Sequence, residues 1–396
     1  MSKNKENNLQ DFFQGFADAE DAMSFKMGDE LEEFVEGIST GSYLIDDISN
    51  CGGFPRGRIS QLYGAPAGGK TLISLLTIAQ AQRQNPDSQQ LFLDAEGTFN
   101  RQWAAQLGVD LSRLGIVDVD IASDGQAMFD MLIGIPREDK QHFFAGWKKE
   151  GLLTKIAKKE LNIDLIILDS IQAVIPPAES VTTVGKTFMA PPLAKFLTTS
   201  FRKLSPQVKK SNVAFLVINH KKDTFEMYGP NHTYAGGNAY SHYLSFNLYV
   251  EPRKAKDALL LNDKEEVIGR EVCCTSEKCK MGPWPKSFNV KLNFTEGFTH
   301  LHEEIAELAI KYDAIEKPND TMYHFGELKW RGRETFNKAV KEDPQLAEQL
   351  LIKIRESQAQ EKLKTLPKTP DSNSNEDSSV ESASPEETKS KRSKKQ

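Results

Sequence analysis

The sequence predicts an α/β fold: a mainly parallel, twisted sheet flanked by helices, followed by a small C-terminal helical domain. Between residues 36 and 300, apolar strand patterns such as QLFLDAEG and LIILDS alternate with helical patterns. This alternation is typical of a parallel sheet that is covered on both faces. From about residue 301 the periodicity becomes helical and charged, as in LHEEIAELAIKYDAI, so we predict a separate helical unit there.

Pattern and composition divide the 396 residues into four parts. Residues 1–35 carry apolar residues at helical spacing, and we expect a helical oligomerisation segment that docks on a neighbour, or a helix packed on its own core. Residues 36–300 form the predicted core, and residues 301–360 form the helical domain. Residues 361–396 are rich in Ser, Pro, Glu and Lys, so we expect a disordered tail with an acidic stretch followed by a basic one.

The composition favours an intracellular globular protein. Hydrophobic residues make up 39% and charged residues 27% of the chain, and it has no apolar run of about 18 residues, so we expect no membrane span. The N-terminus lacks an apolar signal core, and the four cysteines show neither C-x-x-C nor zinc-finger spacing, so we expect reduced thiols in the cytoplasm. The net charge of −6 excludes a uniformly basic surface, but a local basic stripe is enough to bind nucleic acid.

A glycine-rich stretch between a predicted strand and a predicted helix fits the pattern G-x-x-x-x-G-K-[ST]. It consists of Gly64, Ala65, Pro66, Ala67, Gly68, Gly69, Lys70 and Thr71. In such a loop backbone N–H groups surround phosphate oxygens, the lysine reaches the β- and γ-phosphates, and the hydroxyl binds Mg²⁺. The N-terminus of the following helix adds a partial positive charge. We therefore predict a nucleotide phosphate site with Mg²⁺; a chance glycine-rich turn is the alternative.

Two acidic residues at strand ends are candidates for metal binding and for base catalysis. Asp169 follows the apolar run Leu165 to Leu168, as expected for a buried strand that ends in a carboxylate. Glu96 follows another strand, and ligands bind at the carboxyl ends of parallel strands, so Glu96 is the candidate general base. The alternatives are an ordinary turn aspartate at position 169 and an acidic helix cap at position 96.

Five separated segments resemble, in order, the RecA family of DNA strand-exchange ATPases. They are STGSYLIDDISNCGGFPRGRISQLYG, LDAEGTFNRQWAAQLGVDLSRL, LIILDSIQAVIPPAE, the strand VAFLVINH with the loop MYGPNHTYAGGNA, and the late hairpin SEKCKMGPWPKSFNVKLNFTEG. The resemblance covers roughly residues 36–300. The insertion-like stretch Ile135 to Gly151 departs from the bacterial pattern, and together with His220 it makes the chain similar to the phage-type UvsX recombinases.

The resemblance implies a role for each matching residue of the nucleotide site. The loop Gly64 to Thr71 would hold the triphosphate of ATP, and Glu96 would activate the attacking water. Asp169 would hold Mg²⁺ through water, and Trp103 stands where the family places an aromatic ring over the adenine.

Three further residues gain a role only through the resemblance. Lys278 and Lys280 match a lysine pair that reaches the γ-phosphate bound by the neighbouring subunit, so ATP would lie between protomers. His220 stands where the bacterial proteins have a glutamine that senses this phosphate, and an imidazole can donate or accept a hydrogen bond as a glutamine does. The spacing alone leaves open a solvated hairpin face for the lysines and a structural role for the histidine.

Two polar, Gly/Thr-rich stretches, 179–189 and 221–238, match the DNA-binding loops of the family, and loops of this kind tend to carry function. The residues that we expect to contact DNA are Lys186, Met189, Lys195, Lys221, Lys222, Phe225, Gly236, Gly237 and Asn238. Lysines and backbone N–H groups would bind phosphates, and the apolar side chains would insert between bases of any sequence. Two ordinary surface loops are the alternative.

The resemblance implies an ATP-dependent DNA recombinase with DNA-stimulated ATP hydrolysis. Its partners would be single-stranded and double-stranded DNA, further copies of itself in a helical filament, a single-strand-binding protein and a loader protein. It would act in the cytoplasm of a bacterium or of a phage-infected host. One alternative is a ring-forming DNA motor or repair helicase with the same core. Another is a small-molecule P-loop kinase or an inactive ATP-dependent scaffold, which would show no DNA dependence.

Overall fold

The computed structural model describes residues 35–136, 147–182, 192–223, 232–283 and 285–365. Several predictions fall outside these residues: the N-terminal segment up to residue 34, the tail from residue 366, and the DNA contacts Lys186, Met189 and Phe225. In the part of the chain that is described, no helix has the length and apolar character needed to cross a membrane.

The secondary structure alternates between strands and helices up to residue 299. The strands are β1 (Gly37–Ile38), β2 (Phe54–Pro55), β3 (Ile59–Gly64), β4 (Gln89–Asp94), β5 (Leu114–Val117), β6 (Gly134–Pro136), β7 (Trp147–Glu150), β8 (Ile163–Asp169), β9 (Ala214–Asp223), β10 (His232–Tyr234), β11 (Leu244–Pro252), β12 (Leu259–Leu261), β13 (Val267–Cys279), β14 (Lys286–Asn293), β15 (Gly297–Thr299), β16 (Glu316–Asn319), β17 (Met322–Phe325) and β18 (Leu328–Arg331). The helices are α1 (Tyr43–Ile48), α2 (Lys70–Gln84), α3 (Arg101–Gln106), α4 (Val119–Ala122), α5 (Gly125–Ile133), α6 (Leu152–Ala157), α7 (Pro177–Ser180), α8 (Pro192–Ser211), α9 (Gly237–Ser241), α10 (Leu301–Lys311), α11 (Arg333–Glu342) and α12 (Pro344–Thr365).

One large sheet organises the core and has the strand order β15-β14-β13-β11-β3-β9-β8-β4-β5. The strands from β11 to β5 in this order are parallel to one another, whereas β13, β14 and β15 form an antiparallel extension. The mainly parallel sheet predicted from the sequence is confirmed. The carboxyl ends of β3, β4, β8 and β9 therefore lie along one edge, which we call the nucleotide edge, and the amino ends of β3 and β11 lie along the opposite edge.

Strand β8 shows why the sheet is buried on both faces. Leu165, Ile166, Ile167 and Leu168 are all fully buried, and successive side chains of a strand point to opposite faces. Leu165 and Ile167 belong to the apolar cluster that includes α2, whereas Ile166 and Leu168 belong to the cluster that includes α5 and α8. An uninterrupted apolar run is what a strand between two helical layers requires.

The C-terminal unit contains α10, α11 and α12 together with a three-stranded antiparallel sheet in the order β16-β17-β18. We predicted the helices but not the sheet. Each of these strands is only four residues long, and β16 and β18 are largely exposed, so none has the apolar run that identifies a buried strand. Tyr323 of β17 stacks on Phe336 of α11 with ring centroids 5.4 Å apart, which fixes the small sheet on the helices. The helical unit predicted from the sequence thus also contains a small sheet that the sequence pattern did not indicate.

Buried polar contacts join the C-terminal unit to the core. Glu304 of α10 accepts hydrogen bonds from Ser42 Oγ at 2.9 Å and from Leu44 N at 3.2 Å. Lys311 of the same helix forms an ion pair with the buried carboxylate of Asp47. Burial raises the pKa of Glu304 to about 7, although the hydrogen bonds from Leu44 and Ser42 oppose this change. The unit is thus attached through groups whose charge depends on pH.

Candidate active site

The phosphate loop connects β3 to α2, as the sequence predicted. Gly69 is the N-cap of α2 with φ of 90°, and Ala67 also has a positive φ, of 55°. A Cβ on Gly64 would overlap the carbonyl oxygen of Val250 on the neighbouring strand β11. The loop thus follows a path that requires glycine where it turns and where it approaches another backbone.

The lysine of the loop is buried within it. Lys70 is 6% exposed, and its Nζ donates to the carbonyl oxygens of Gly64 at 3.2 Å and Ala65 at 2.8 Å. Burial lowers the pKa of Lys70, while the nearby carboxylates of Asp169 and Glu96 act in the opposite direction. The ammonium group therefore lies close to the acids of two other strands, as a phosphate-binding lysine in this kind of site should.

Thr71 and Asp169 form the predicted metal-binding pair. Thr71 Oγ1 donates to Asp169 Oδ2 at 2.9 Å, and Asp169 is 5% exposed at the end of β8. Burial raises the pKa of Asp169 to about 6, partly offset by the hydrogen bond from Thr71. A hydroxyl and a carboxylate are hard oxygen ligands, and Mg²⁺ is commonly bound through one or two carboxylates together with substrate phosphates. The two side chains therefore fit Mg²⁺.

Glu96, the candidate base, is held by two side chains from neighbouring strands. Ser170 Oγ donates to Glu96 Oε1, and His220 Nε2 lies 3.1 Å from the same oxygen. Burial raises the pKa of Glu96, but the hydrogen bonds from Ser170 and His220 outweigh this contribution, so the pKa is lowered overall. The arrangement keeps Glu96 ionised and oriented, and both properties are needed for accepting a proton from water.

Two further residues lie near Glu96 and take part in hydrogen bonds there. Ser170, which the sequence analysis did not single out, is a contact of the candidate base; the only signal for it was its position directly after Asp169. Asp94, at the end of β4, accepts hydrogen bonds from the backbone N–H groups of Thr98 and Phe99 at 3.1 and 3.0 Å. Asp94 therefore stabilises the turn that follows Glu96.

Trp103 lies on α3, which follows the turn after Glu96. Its Nε1 donates to the carbonyl oxygen of Phe294 at 2.7 Å, and its ring packs against the apolar cluster on the α2 side of the sheet. This bond fixes the orientation of the indole. Its placement over adenine remains a prediction.

Lys278 and Lys280 are not part of the nucleotide edge of their own chain. Lys278 Nζ donates to Ser241 O at 2.6 Å and Lys280 Nζ to His242 O at 3.1 Å, just before the start of β11. Strand β11 starts beside Ile59 at the opposite edge, and the phosphate loop begins at the other end of β3. Any contact of these lysines with a triphosphate therefore requires the site of another copy.

The described candidates for DNA contact flank the two predicted loops. Lys195 is exposed on α8, and Lys222 is exposed near the end of β9. Lys221 is less available, because its Nζ lies 3.4 Å from Glu251 Oε1 and 5.8 Å from the centre of the Tyr249 ring. The glycine-rich start of α9 contains Gly236, Gly237 and Asn238, and both glycines have positive φ angles. The DNA contacts of these residues remain predictions.

The strand, the glycine-rich loop and the helix, with acids from two other strands beside them, define a P-loop ATPase. The RecA N-terminal domain family matches residues 14–137 and 152–299. The RecA protein of Bacteroides thetaiotaomicron is 30% identical over 327 residues, covering 82% of this chain and 88% of the relative. The RecA protein of Colwellia psychrerythraea is 30% identical over 332 residues (84% and 86%), and that of Chlorobium limicola is 29% identical over 324 residues (81% and 83%).

The chain belongs to the RecA family. It is a RecA-type DNA recombinase, and its enzymatic activity is that of a DNA-dependent ATPase. The resemblance seen in the sequence is confirmed at this level.

Proposed function

We propose that this chain polymerises on single-stranded DNA as a helical filament, pairs that strand with homologous duplex DNA and exchanges strands, with ATP bound between adjoining copies. The observation that carries the proposal is the division of the predicted site between two edges of one sheet. Lys70, Asp169 and Glu96 lie at the nucleotide edge, whereas Lys278 and Lys280 lie near the opposite edge. Head-to-tail contacts bring opposite faces together, and they generate helical filaments when they do not close into a ring.

Each residue of the site has a distinct part in hydrolysis. The phosphate loop and Lys70 bind the triphosphate, and Glu96 accepts a proton from the attacking water. Bound by Thr71 and Asp169, Mg²⁺ would neutralise charge on the phosphate oxygens. Lys278 and Lys280 of the next copy stabilise the negative charge that develops at the γ-phosphate. Hydrolysis then depends on contact between copies.

Strand β9 provides a route from the nucleotide to the DNA. His220 on this strand contacts Glu96, and the strand continues through Lys221 and Lys222 into the second predicted DNA-binding loop. A phosphate that attracts His220 away from Glu96 would shift the end of β9 and thereby the loop. A loop whose order and position depend on the γ-phosphate is a known form of nucleotide switch.

The cellular setting is also part of the proposal. We place the protein in the cytoplasm of a bacterium or of a phage-infected host, with a single-strand-binding protein and a loader protein as partners. The phage-type, UvsX-like assignment is supported by identities of only 29–30% to the bacterial relatives. It is also supported by residues 138–151, which the family match leaves out.

The decisive experiment combines ATPase assays with electron microscopy. Turnover is measured with and without single-stranded DNA in the presence of Mg²⁺, and samples with DNA and a non-hydrolysable ATP analogue are imaged. We expect DNA-stimulated turnover and stretched helical filaments. Turnover that single-stranded DNA leaves unchanged contradicts the proposal. Closed rings together with unwinding of a forked duplex would favour the DNA motor instead, and phosphorylation of a small acceptor without DNA would favour the kinase.

A further inference from the structure

Three side chains from three elements meet directly before the phosphate loop. They are Tyr63 at the end of β3, His232 at the start of β10 and Glu277 near the end of β13, and we call them the Tyr63–His232–Glu277 cluster. Nε2 of His232 lies 3.1 Å from the Tyr63 hydroxyl and 3.2 Å from Glu277 Oε1. The Tyr63 hydroxyl donates to Glu277 Oε2, and Asn247 Nδ2 donates to the same oxygen at 3.2 Å. Tyr63 is 1% exposed, whereas the side chains of His232 and Glu277 are 21% and 32% exposed, so the cluster is buried on the Tyr63 side and partly open to solvent on the other.

A β-bulge aims Glu277 into this cluster. Asn247 of β11 pairs with Lys278 and Leu248 pairs with Ser276, so Glu277 is the extra residue between two successive pairs. An extra residue of this kind re-aims side chains locally, and bulges are frequent next to active sites. The bulge lets two consecutive residues serve different contacts: the Glu277 carboxylate reaches Tyr63 and His232, and the Lys278 ammonium reaches Ser241.

The last part of the second predicted DNA-binding loop and the helix α9 therefore contact β13 at two consecutive residues, Glu277 and Lys278. His232, the first described residue after the segment 224–231, contacts Glu277. Ser241, at the end of α9 five residues after Gly236, accepts a hydrogen bond from Lys278 at 2.6 Å. A displacement of this segment would be transmitted to the end of β13, which carries Lys278 and is followed directly by Lys280.

Aromatic and charged neighbours fix the imidazole of His232. Its ring stacks on Tyr249 with centroids 4.4 Å apart and an interplanar angle of 15°. Tyr234 packs edge-on against Tyr63 at 4.9 Å, and Lys221 lies over the Tyr249 ring. The position of His232 thus responds to the ends of both β9 and β10, the two strands that border the loop.

We infer that the Tyr63–His232–Glu277 cluster couples DNA in the second loop to the position of Lys278 and Lys280, so that bound DNA sets how well one copy completes the ATP site of the next. His232 and Glu277 are positioning residues: they act on the site through Lys278. The inference rests on the proposed function, because it describes control of the same shared site.

The test replaces His232 by two residues that separate its stacking from its hydrogen bonds. His232→Phe keeps a ring that can stack on Tyr249 but removes both polar contacts, whereas His232→Gln keeps a side chain that can donate to Glu277. For the full-length protein with saturating single-stranded DNA, we expect kcat for ATP hydrolysis to fall about tenfold in His232→Phe and to recover most of that loss in His232→Gln. The Kd for a fluorescent ATP analogue without DNA should stay within about twofold, because the phosphate loop is intact.

A matched control and a second variant make the outcome decisive. His302→Phe makes the same exchange on α10 of the C-terminal unit and should leave kcat unchanged. Tyr63→Phe removes a single hydroxyl from the cluster and should lower kcat at saturating DNA in the same direction as His232→Phe. Should thermal melting show that His232→Phe is unfolded, the Tyr63→Phe result decides.

Two results would overturn the inference. One is a normal kcat at saturating DNA in both His232→Phe and Tyr63→Phe. The other is a loss in His232→Phe that His232→Gln does not repair, because a side chain able to donate to Glu277 would then not restore the coupling. If the unmodified protein itself shows no stimulation by DNA, the proposed function fails, and this outcome is visible before any variant is made.

Discussion

The two edges of the large sheet differ in how their polar side chains are partnered. At the nucleotide edge, side chains from different elements bond to one another: Thr71 to Asp169, and both Ser170 and His220 to Glu96. At the opposite edge, two cationic side chains bond only to backbone carbonyl oxygens at the end of α9, within the described part of the chain. The nucleotide edge has its groups oriented within a single chain, whereas Lys278 and Lys280 lie away from the nucleotide edge of their own chain.

This difference separates the chemistry of the site from its control. The candidate base and the metal-binding pair are held by contacts that no neighbour is needed to form. In the proposed filament the cations that would complete the site come from another copy, so assembly on DNA would decide whether hydrolysis proceeds. The predictions below test each side of this division, beginning with the largest effect.

Glu96→Gln should abolish the chemical step while leaving assembly intact. The amide keeps the shape of the side chain but cannot take the proton from water, so we expect DNA-stimulated kcat to fall at least about 100-fold. Binding of a fluorescent ATP analogue and filament formation should persist. Glu348→Gln, an exposed exchange on α12, serves as the control. An unimpaired rate in Glu96→Gln would remove this residue from the role of base.

Mixing two inactive variants should restore part of the activity. In a mixed filament, the intact nucleotide edge of a Lys278→Ala/Lys280→Ala copy can face the intact lysines of a Glu96→Gln copy. Random one-to-one assembly makes roughly a quarter of the contacts of this productive kind. ATPase assays of the mixture against each variant alone measure the recovery. If mixing restores nothing while each variant still forms filaments, the two edges do not share a site.

Ser170→Ala should weaken catalysis within a single nucleotide edge. The Ser170 hydroxyl helps to keep the pKa of Glu96 low, so its loss raises that pKa and leaves less carboxylate at a given pH. We expect kcat to fall about tenfold at neutral pH, because Glu96 loses a hydrogen bond that orients it, and we expect the acid limb of the pH–rate profile to move to higher pH. Adding Ser170→Ala to Glu96→Gln should cause no further loss. A further loss of similar size would show that Ser170 acts independently of Glu96.

Glu304→Gln should change stability rather than catalysis. Burial raises the pKa of Glu304 to about 7, so the folded state favours the protonated form, and the stability that this provides is lost as the pH rises through 7. The variant has no ionisable group at position 304. Between pH 5 and 9 its free energy of unfolding should therefore fall by about 1–3 kcal/mol less than that of the unmodified protein. Urea unfolding at several pH values measures this. Burial also raises the pKa of Asp46 to about 7, so part of the pH dependence of stability should remain in the variant.

The sequence predicted the architecture and the core of the site because both follow local patterns. Apolar runs that end in Glu96 and Asp169 identify strands with acids at one edge, and the glycine-rich loop identifies the phosphate site. The role of Ser170 escaped prediction, since a serine after a strand has no distinctive pattern. The strands β16, β17 and β18 were missed because their residues are mostly exposed and carry no apolar run.

Features that depend on strand register or on assembly cannot be predicted from local sequence patterns. Spacing alone left Lys278 and Lys280 as residues of a solvated hairpin, and only the family resemblance gave them a role. Glu277 looks equally ordinary in the sequence. Its contacts with Tyr63 and His232 require a bulge opposite Asn247, and the position of a bulge is set by pairing between strands distant in the chain.

The close approach of Gly64 to the Val250 carbonyl oxygen limits how this protein can vary. A methyl group at position 64 would push β3 away from β11 at the point where the loop leaves the sheet. In a library randomised at this codon and selected for DNA-dependent turnover, only glycine should survive, whereas neighbouring Ala65 and Pro66 should tolerate exchange. The loop position that accepts the fewest substitutions would then be set by contact between two backbones, and not by a side chain that binds the nucleotide.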